Sequence, residues 1–453
     1  MQGILDAEMM PTATASPRVR SRISRLRARL TPLLAVPLIF VAARGSFSFQ
    51  SNGAVTGGFV PGGAAVRDAG MLGSVILPGI AYLCVLLLVM TKARQVFYLA
   101  GRFKALSLLA VLAVASSAWS QQPLHSLISS FCYCVDTLFA FYLVAEFEPE
   151  ELLGVMEKLL LILCAVSLAI VVFLPKYGLS NLDVRNPGAW AGLFSSRSDA
   201  GRAYLFPLIA TIILWARKRT IFRTFILLFG LVMLYEAHVM TEVGTLCLAI
   251  CCIGISALSR RVASRTSMAL LLVILGVVAV GAAVIIPNLP ALLETVGRDP
   301  TLTGRTEIWA VLMQSIAKRP LEGYGYYAFW QGLVGESGIV IHRLNWTFGY
   351  AHNGYIEIML QLGLGGLALF LVTLFGGLRN AWTCFRKDRT GRFDWYICIL
   401  LLMVVENMDD CLVLWPKDMQ SILYLVACCS VGLGAWKLRQ EQQTTTVEEI
   451  RAA

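Results

Sequence analysis

Apolar stretches of about 14 to 25 residues recur from near the start of this chain to near its end, where a helix needs roughly 20 to cross a bilayer core about 30 Å thick. They fall near residues 31–44, 71–90, 105–120, 123–145, 158–175, 202–216, 221–239, 243–258, 267–287, 353–377, 394–409 and 419–436. Inside lipid every backbone N–H and C=O must be paired within the protein, so these stretches are expected as helices. Composition agrees: 57% of the 453 residues are hydrophobic and 15% charged, where soluble domains carry about 25% charged. The expected fold is an all-α polytopic membrane protein of about 12 transmembrane helices, one membrane domain over 31–436. Residues 1–30, polar and then basic, are expected as a disordered cytoplasmic tail, and 437–453 as a cytoplasmic C-terminal tail.

Lys and Arg placement sets the orientation. With the N-terminus inside, the inner segments hold Arg18 to Arg29, Lys92 to Lys104, Arg217-Lys218-Arg219, Arg260-Arg261 and Arg386-Lys387-Arg389. The reversed arrangement has the opposite bias. Topology and attraction to anionic head groups therefore account for the net charge of +10, without a nucleic-acid partner. Most of the twelve cysteines lie within spans, Cys132, Cys134, Cys251-Cys252 and Cys428-Cys429 among them, as small hydrophobes. No Cys/His spacing points to a metal, and with only Cys411 clearly in an outer loop no disulfide framework is expected.

Three outer stretches are long: 45–70, 176–201 and 288–352. Long ordered loops are usually functional. In the last, TGRTEIWAVLMQSIAKRP reads as a helix, capped by Thr303 and stopped by Pro320, with Ile308, Val311, Leu312 and Ile316 on one apolar face. It presents Arg305 and Glu307 in its first turn. The aromatic run around Trp309, Tyr324, Tyr326, Trp330 and Tyr355 reads equally as an interfacial belt or as a platform for sugar rings. Of the histidines, His125, His238 and His342 read as structural or interfacial. His352, beside Asn353 after an aromatic turn, reads as a site residue.

The combination GRTEIW, RPLEGYGYYAFW and AHNGYIEIMLQLGLGGL (Gly304 to Trp309, Arg319 to Trp330, Ala351 to Leu367) resembles the O-antigen ligase-like superfamily. That group holds O-antigen ligases, O-antigen polymerases and succinoglycan-type exopolysaccharide polymerases. An earlier segment, Gly192 to Arg202, is similar to the family pattern G-x-[FY]-x-H-K-N-x-x-G. Gly192, Phe194 and Gly201 match it. Ser196, Arg197 and Ser198 stand where His, Lys and Asn are usual.

The resemblance implies a bundle similar to the C-class membrane glycosyltransferases, in a bacterial inner membrane, with both termini cytoplasmic and loop 288–352 periplasmic and partly helical. It implies transfer of a glycan from an undecaprenyl pyrophosphate carrier to a sugar hydroxyl, on a growing glycan or on lipid A core, with no cofactor and no metal. A flippase and a chain-length regulator would be its partners. Under that reading Arg197, Arg202 and Arg305 bind the pyrophosphate, since arginine grips phosphate bidentately and keeps its charge. His352 is the base, with Arg305 and Glu307 as further catalytic residues, Glu307 in reserve to His352. Trp309, Tyr324, Tyr326, Trp330, Asn353 and Tyr355 contact sugar. The family's acid near the end of the eleventh span corresponds to Glu406 or Asp409-Asp410. A transporter is the reading from another class. It predicts mid-membrane ionisable groups and matched halves. Asp136 is the clearest intraspan acid, and no internal repeat is visible.

Overall fold

A computed structural model describes residues 34–42, 76–180, 186–261, 305–345 and 349–452. The expected tail 1–30, the span 267–287, the stretch 45–70 and residues 288–304, with Thr303, lie outside the described residues.

The described chain is almost entirely helical. After a short helix at 34–42 come α1 (Leu77–Thr91), α2 (Ala93–Arg102), α3 (Lys104–Ala115), α4 (Pro123–Glu146), α5 (Pro149–Phe173), α6 (Arg197–Arg217), α7 (Ile221–Glu236) and α8 (Met240–Arg261). Then follow α9 (Arg305–Lys318), α10 (Gly335–Leu344), α11 (Gly354–Lys387), α12 (Asp394–Glu406) and α13 (Met419–Ala452). A two-residue ribbon, Leu179–Ser180 against Ala189–Trp190, ties the α5–α6 connection.

Six of these helices are long and apolar enough to cross a membrane: α4, α5, α6, α8, α11 and the Met419–Thr444 part of α13. A seventh span is available if α1 and α2, bent by 90°, are taken as one. The sequence expected about twelve spans and treated residues 92–104 as an inner loop; α2 is a helix there. The α13 helix also continues through the expected C-terminal tail to Ala452.

Local chemistry sets the helix ends. Pro123 and Pro149 occupy first turns, where a missing N–H costs nothing. Glu148 and Glu151 form a capping box at α5. Ser196, Thr220 and Asn353 cap α6, α7 and α11 with side-chain oxygens. Only 28% of the apolar window of α8 and 39% of that of α5 is buried, against 78% for α6 and α13. Met90, Phe131, Val172, Leu228, Val372 and Phe375 are exposed on the outer faces of their helices. In water such a surface would be untenable; in lipid it is the wetted face.

The α11 helix is broken. Gly363 has φ 65° and ψ −167°, and the segment after α9 runs across the gap. Leu364 N donates to Pro320 O (2.8 Å), Tyr324 N to Leu360 O (2.8 Å) and Gly325 N to Gln361 O (3.0 Å). The loop thus satisfies the carbonyls that the break exposes. Gly323 and Gly325 also have positive φ, and a Cβ on Gly325 would meet Ser120 at 2.4 Å. The Gly-Tyr-Gly run is the stitch that sews this loop to the bundle.

The basic groups of the segments expected inside gather at one end. Lys92 pairs with Glu146 (3.3 Å), Arg217 with Glu150 (3.1 Å) and Arg260 with Asp394 (2.8 Å). The start of α6, the start of α9, the start of α11 and the end of α12 meet at the other end.

Candidate active site

At that second end lies a cavity of about 210 Å³. Its lining includes Arg202 from α6, Glu242 from α8, Arg305 from α9, His352 from the turn before α11, and Glu406, Asp409 and Asp410 from the end of α12. Residues more than two hundred positions apart converge there.

Close backbone approach makes the convergence possible. Gly354 N donates to Asn407 O (2.8 Å), and a Cβ at Gly354 would lie 2.0 Å from Asn407 Oδ1. Asn407 Oδ1 accepts from Leu412 N (3.2 Å) and so shapes the acidic turn. Glycine at 354 therefore sets His352 beside Asp409 and Asp410. Asn353 spends its side-chain oxygen on the α11 N-terminus, accepting from Tyr355 N (3.0 Å) and Ile356 N (3.1 Å).

The peptide before His352 is clamped from both sides. Trp309 Nε1 donates to Ala351 O (2.9 Å) and Ala351 N donates to Glu357 Oε2 (2.9 Å). Glu357 is 3% exposed and also accepts from Trp330 Nε1 (3.1 Å to each oxygen) and Gln361 Nε2 (2.8 Å). His352 itself is held at φ 50°, a left-handed conformation uncommon outside glycine, with its ring 4.1 Å from that of Tyr350. Every donor around Glu357 needs an acceptor, so the Glu357→Gln amide would face one of them with its own N–H. The expected cost is about 1–3 kcal/mol for the unsatisfied buried donor. Any activity of this site should fall by about tenfold or more in protein that still purifies as a single species; an unchanged rate would show that the clamp does not matter.

The charges are paired across the cavity. Arg305 bonds Asp409, and Arg202 bonds Asp410 as well as Asp199 (3.3 Å). Burial, then the Arg305 guanidinium, holds the His352 imidazole below its usual range, against the opposing pull of Asp410 and Asp409. The neutral form is therefore favoured in the folded protein. Its contribution to stability is complete above the ordinary histidine value near 6.5 and is lost as pH falls toward the lower folded value. If neutral His352 is the working form, activity should stay level from pH 8 past 6.5 and decline only below it. An acid limb centred above 6.5 in the pH–rate profile would argue against that role.

The other residues read from the sequence lie as follows. Glu307 is exposed on the first turn of α9 and does not line the cavity. Arg197 donates to His238 O (2.6 Å), beside the site rather than in it. Tyr324 (2% exposed) and Tyr326 (0%) are core residues, their hydroxyls donating to Ser315 O and Leu414 O (both 2.7 Å). The Tyr355 hydroxyl donates to Val404 O (3.2 Å). None of the six residues assigned to sugar lines this cavity; Trp309 and Trp330 support the His352 turn. Glu242 escaped the sequence reading. Its signal was an acid at the very start of a span, hidden by an expected span start at 243 when α8 begins at Met240.

Residues 225–371 match the O-antigen ligase family model. Over this stretch the chain is similar to the O-antigen ligase family. The match runs from α7 into α11 and takes in Arg305 and His352, while Arg202 and the acidic turn lie outside it. The exopolysaccharide production protein ExoQ of Rhizobium meliloti (strain 1021) is 35% identical over 136 residues, 28% of this chain and 31% of that relative. The matched stretch thus covers about a third of the relative's length.

Proposed function

We propose that this chain, similar to the O-antigen ligase family over residues 225–371, is a glycosyltransferase working at the outer end of the bundle, on a glycan carried by undecaprenyl pyrophosphate. The observation that carries the reading is the convergence of two guanidiniums and a neutral imidazole on one cavity, within a bundle built for lipid. In the reaction, the acceptor sugar hydroxyl gives its proton to His352 and its oxygen attacks the anomeric carbon. The bond from that carbon to the pyrophosphate oxygen breaks, and undecaprenyl pyrophosphate leaves with the bonding pair. Arg305 and Arg202 meet the charge that develops on the leaving oxygen, the part assigned to a metal in many phosphate-releasing enzymes. Attack opposite the leaving group inverts the anomeric centre. Gathering of the basic clusters at the far end supports placing the site outside.

Polymerisation of an exopolysaccharide or O-antigen is the preferred role, favoured by the likeness to an exopolysaccharide production protein. The matched O-antigen ligase family favours transfer to lipid A core as the second. Purified protein in liposomes with undecaprenyl pyrophosphate-linked repeat units separates them. A ladder of longer lipid-linked chains is expected for a polymerase, and should persist in EDTA. Product only after adding lipid A core would make it a ligase. Silence with the native glycan under both conditions would favour transport instead.

A further inference from the structure

A second cavity, of about 110 Å³, opens at the opposite end of the bundle, where α2, the α4–α5 turn, Arg392 and the later turns of α13 meet. Gln420 near the start of α13 donates to Arg202 O (3.1 Å) in the active-site region. Lys437 lies 17 residues further along the same helix, about 25 Å at 1.5 Å per residue. The two cavities are therefore separated by nearly the thickness of a bilayer core.

Its setting is that of the head-group level. The 90° turn from α1 lays α2 across the bundle end, with Val96 and Leu99 buried and Phe97 exposed. Tyr98 and Trp436 line the cavity, the aromatic types that favour a membrane–water boundary. Arg102 donates to the Tyr98 hydroxyl (3.1 Å) and sits 4.6 Å over the Trp436 ring, which uses few of its five N–H groups.

The polar lining is uneven. Arg102, Arg392 and Lys437 face two acids, Glu148 and Glu441, and Arg392 is already paired with Asp388 (3.8 Å). The Glu148 carboxylate is committed to the α5 capping box, and Glu441 is exposed. Arg102 and Lys437 are the cations left to meet an anion. Gln95 supplies the second polar cue: its side-chain oxygen is buried with no hydrogen-bond partner among the described residues. Such an acceptor is costly unless a donor reaches it.

From the cationic rim, the orphaned acceptor and the apolar walls of Leu99, Val144 and Leu433, we propose that this cavity binds a phosphatidylglycerol-type lipid. The phosphodiester lies between Arg102 and Lys437. A head-group hydroxyl donates to Gln95, and the acyl chains run along the walls. Basic pockets between membrane helices commonly serve anionic lipids in this way.

Native mass spectrometry of the full chain, extracted from vesicles of equal phosphatidylglycerol, phosphatidylethanolamine and phosphatidylcholine, tests the assignment. Phosphatidylglycerol should be retained preferentially. Arg102→Ala and Lys437→Gln should each weaken its retention by about tenfold, the loss of one charge-assisted bond. Gln95→Leu keeps the charges and should reduce the preference over phosphatidylcholine, which has no head-group donor. Equal retention of all three lipids, or no change in any variant that remains monodisperse, would overturn the proposal. Preferred retention of phosphatidylethanolamine would overturn the anionic assignment. Displacement of the lipid by sn-glycerol 3-phosphate at similar concentration would make the ligand a free phosphate ester instead.

Discussion

Replacing Arg305 with alanine should lower glycan transfer by at least about a hundredfold and leave the protein folded. Loss of one donor that meets charge on a leaving oxygen typically costs about 10²–10³ in rate, and Arg305 is one of two guanidiniums that line the cavity among the described residues. Stability should scarcely change. The Arg305 side chain is 25% exposed and its partner Asp409 is 44% exposed, and ion pairs so open to solvent contribute about 0–1 kcal/mol. Arg305→Lys should recover part of the rate, because an ammonium restores charge but not the planar two-point grip. Transfer by both variants and the parent would be followed as released undecaprenyl pyrophosphate, with thermal unfolding measured alongside. A parental rate in the alanine variant would remove Arg305 from the chemistry. An unfolded variant would show that the cavity depends on this pair for its shape.

The largest structural effect is expected at Gly363. A Cβ there would lie 2.2 Å from Leu321 O, at a φ of +65°, so Gly363→Ala meets both a backbone clash and left-handed strain. The facing residue has the mirror problem: a Cβ on Gly323 would sit 2.7 Å from Gln361 O. Neither strand can withdraw without breaking the bonds that cross the α11 gap, since both obstacles are backbone. The cost should reach about 4 kcal/mol or more, in the range reserved for severe core damage. The measurement is the yield of monodisperse protein and its unfolding temperature. Gly376→Ala serves as the comparison on the same helix, because nothing lies within 4 Å of its added Cβ. It should be neutral or slightly stabilising, alanine being the better helix former by about 1 kcal/mol. Equal behaviour of the two variants would mean that the break in α11 is not held as described.

The helical, membrane-spanning character was legible because lipid imposes length and apolarity together, and most expected spans coincide with helices, as at α4, α7 and α11. The bend at Lys92 was not legible. The chain reads as basic loop there, while α2 hides an apolar face, Val96 and Leu99, among Arg94, Gln95 and Arg102. At the candidate site, Arg305 and His352 stood out through their flanking motifs, and the structure sets them on one cavity. The aromatic residues were harder. Tyr324 and Tyr326 have the composition of a sugar platform, and only burial and hydroxyl partners distinguish that from core packing. The clamp on Ala351 was invisible for another reason: it consists of Trp309 and Glu357 acting on main-chain atoms, and main-chain atoms carry no sequence signal.

The pairing of Arg305 with Asp409 and of Arg202 with Asp410 has a bearing on what this pocket turns away. Each guanidinium is already paired with a carboxylate at rest, so an entering anion must compete with that carboxylate for each. The surrounding bilayer is crowded with phosphodiesters of single charge, at concentrations no rare carrier lipid can match. A ligand of that kind gains little by exchanging with an aspartate of equal charge, whereas a pyrophosphate can engage both arginines at once. Under the proposed function, the two aspartates would act as a threshold on charge density, favouring a pyrophosphate carrier over ordinary lipid.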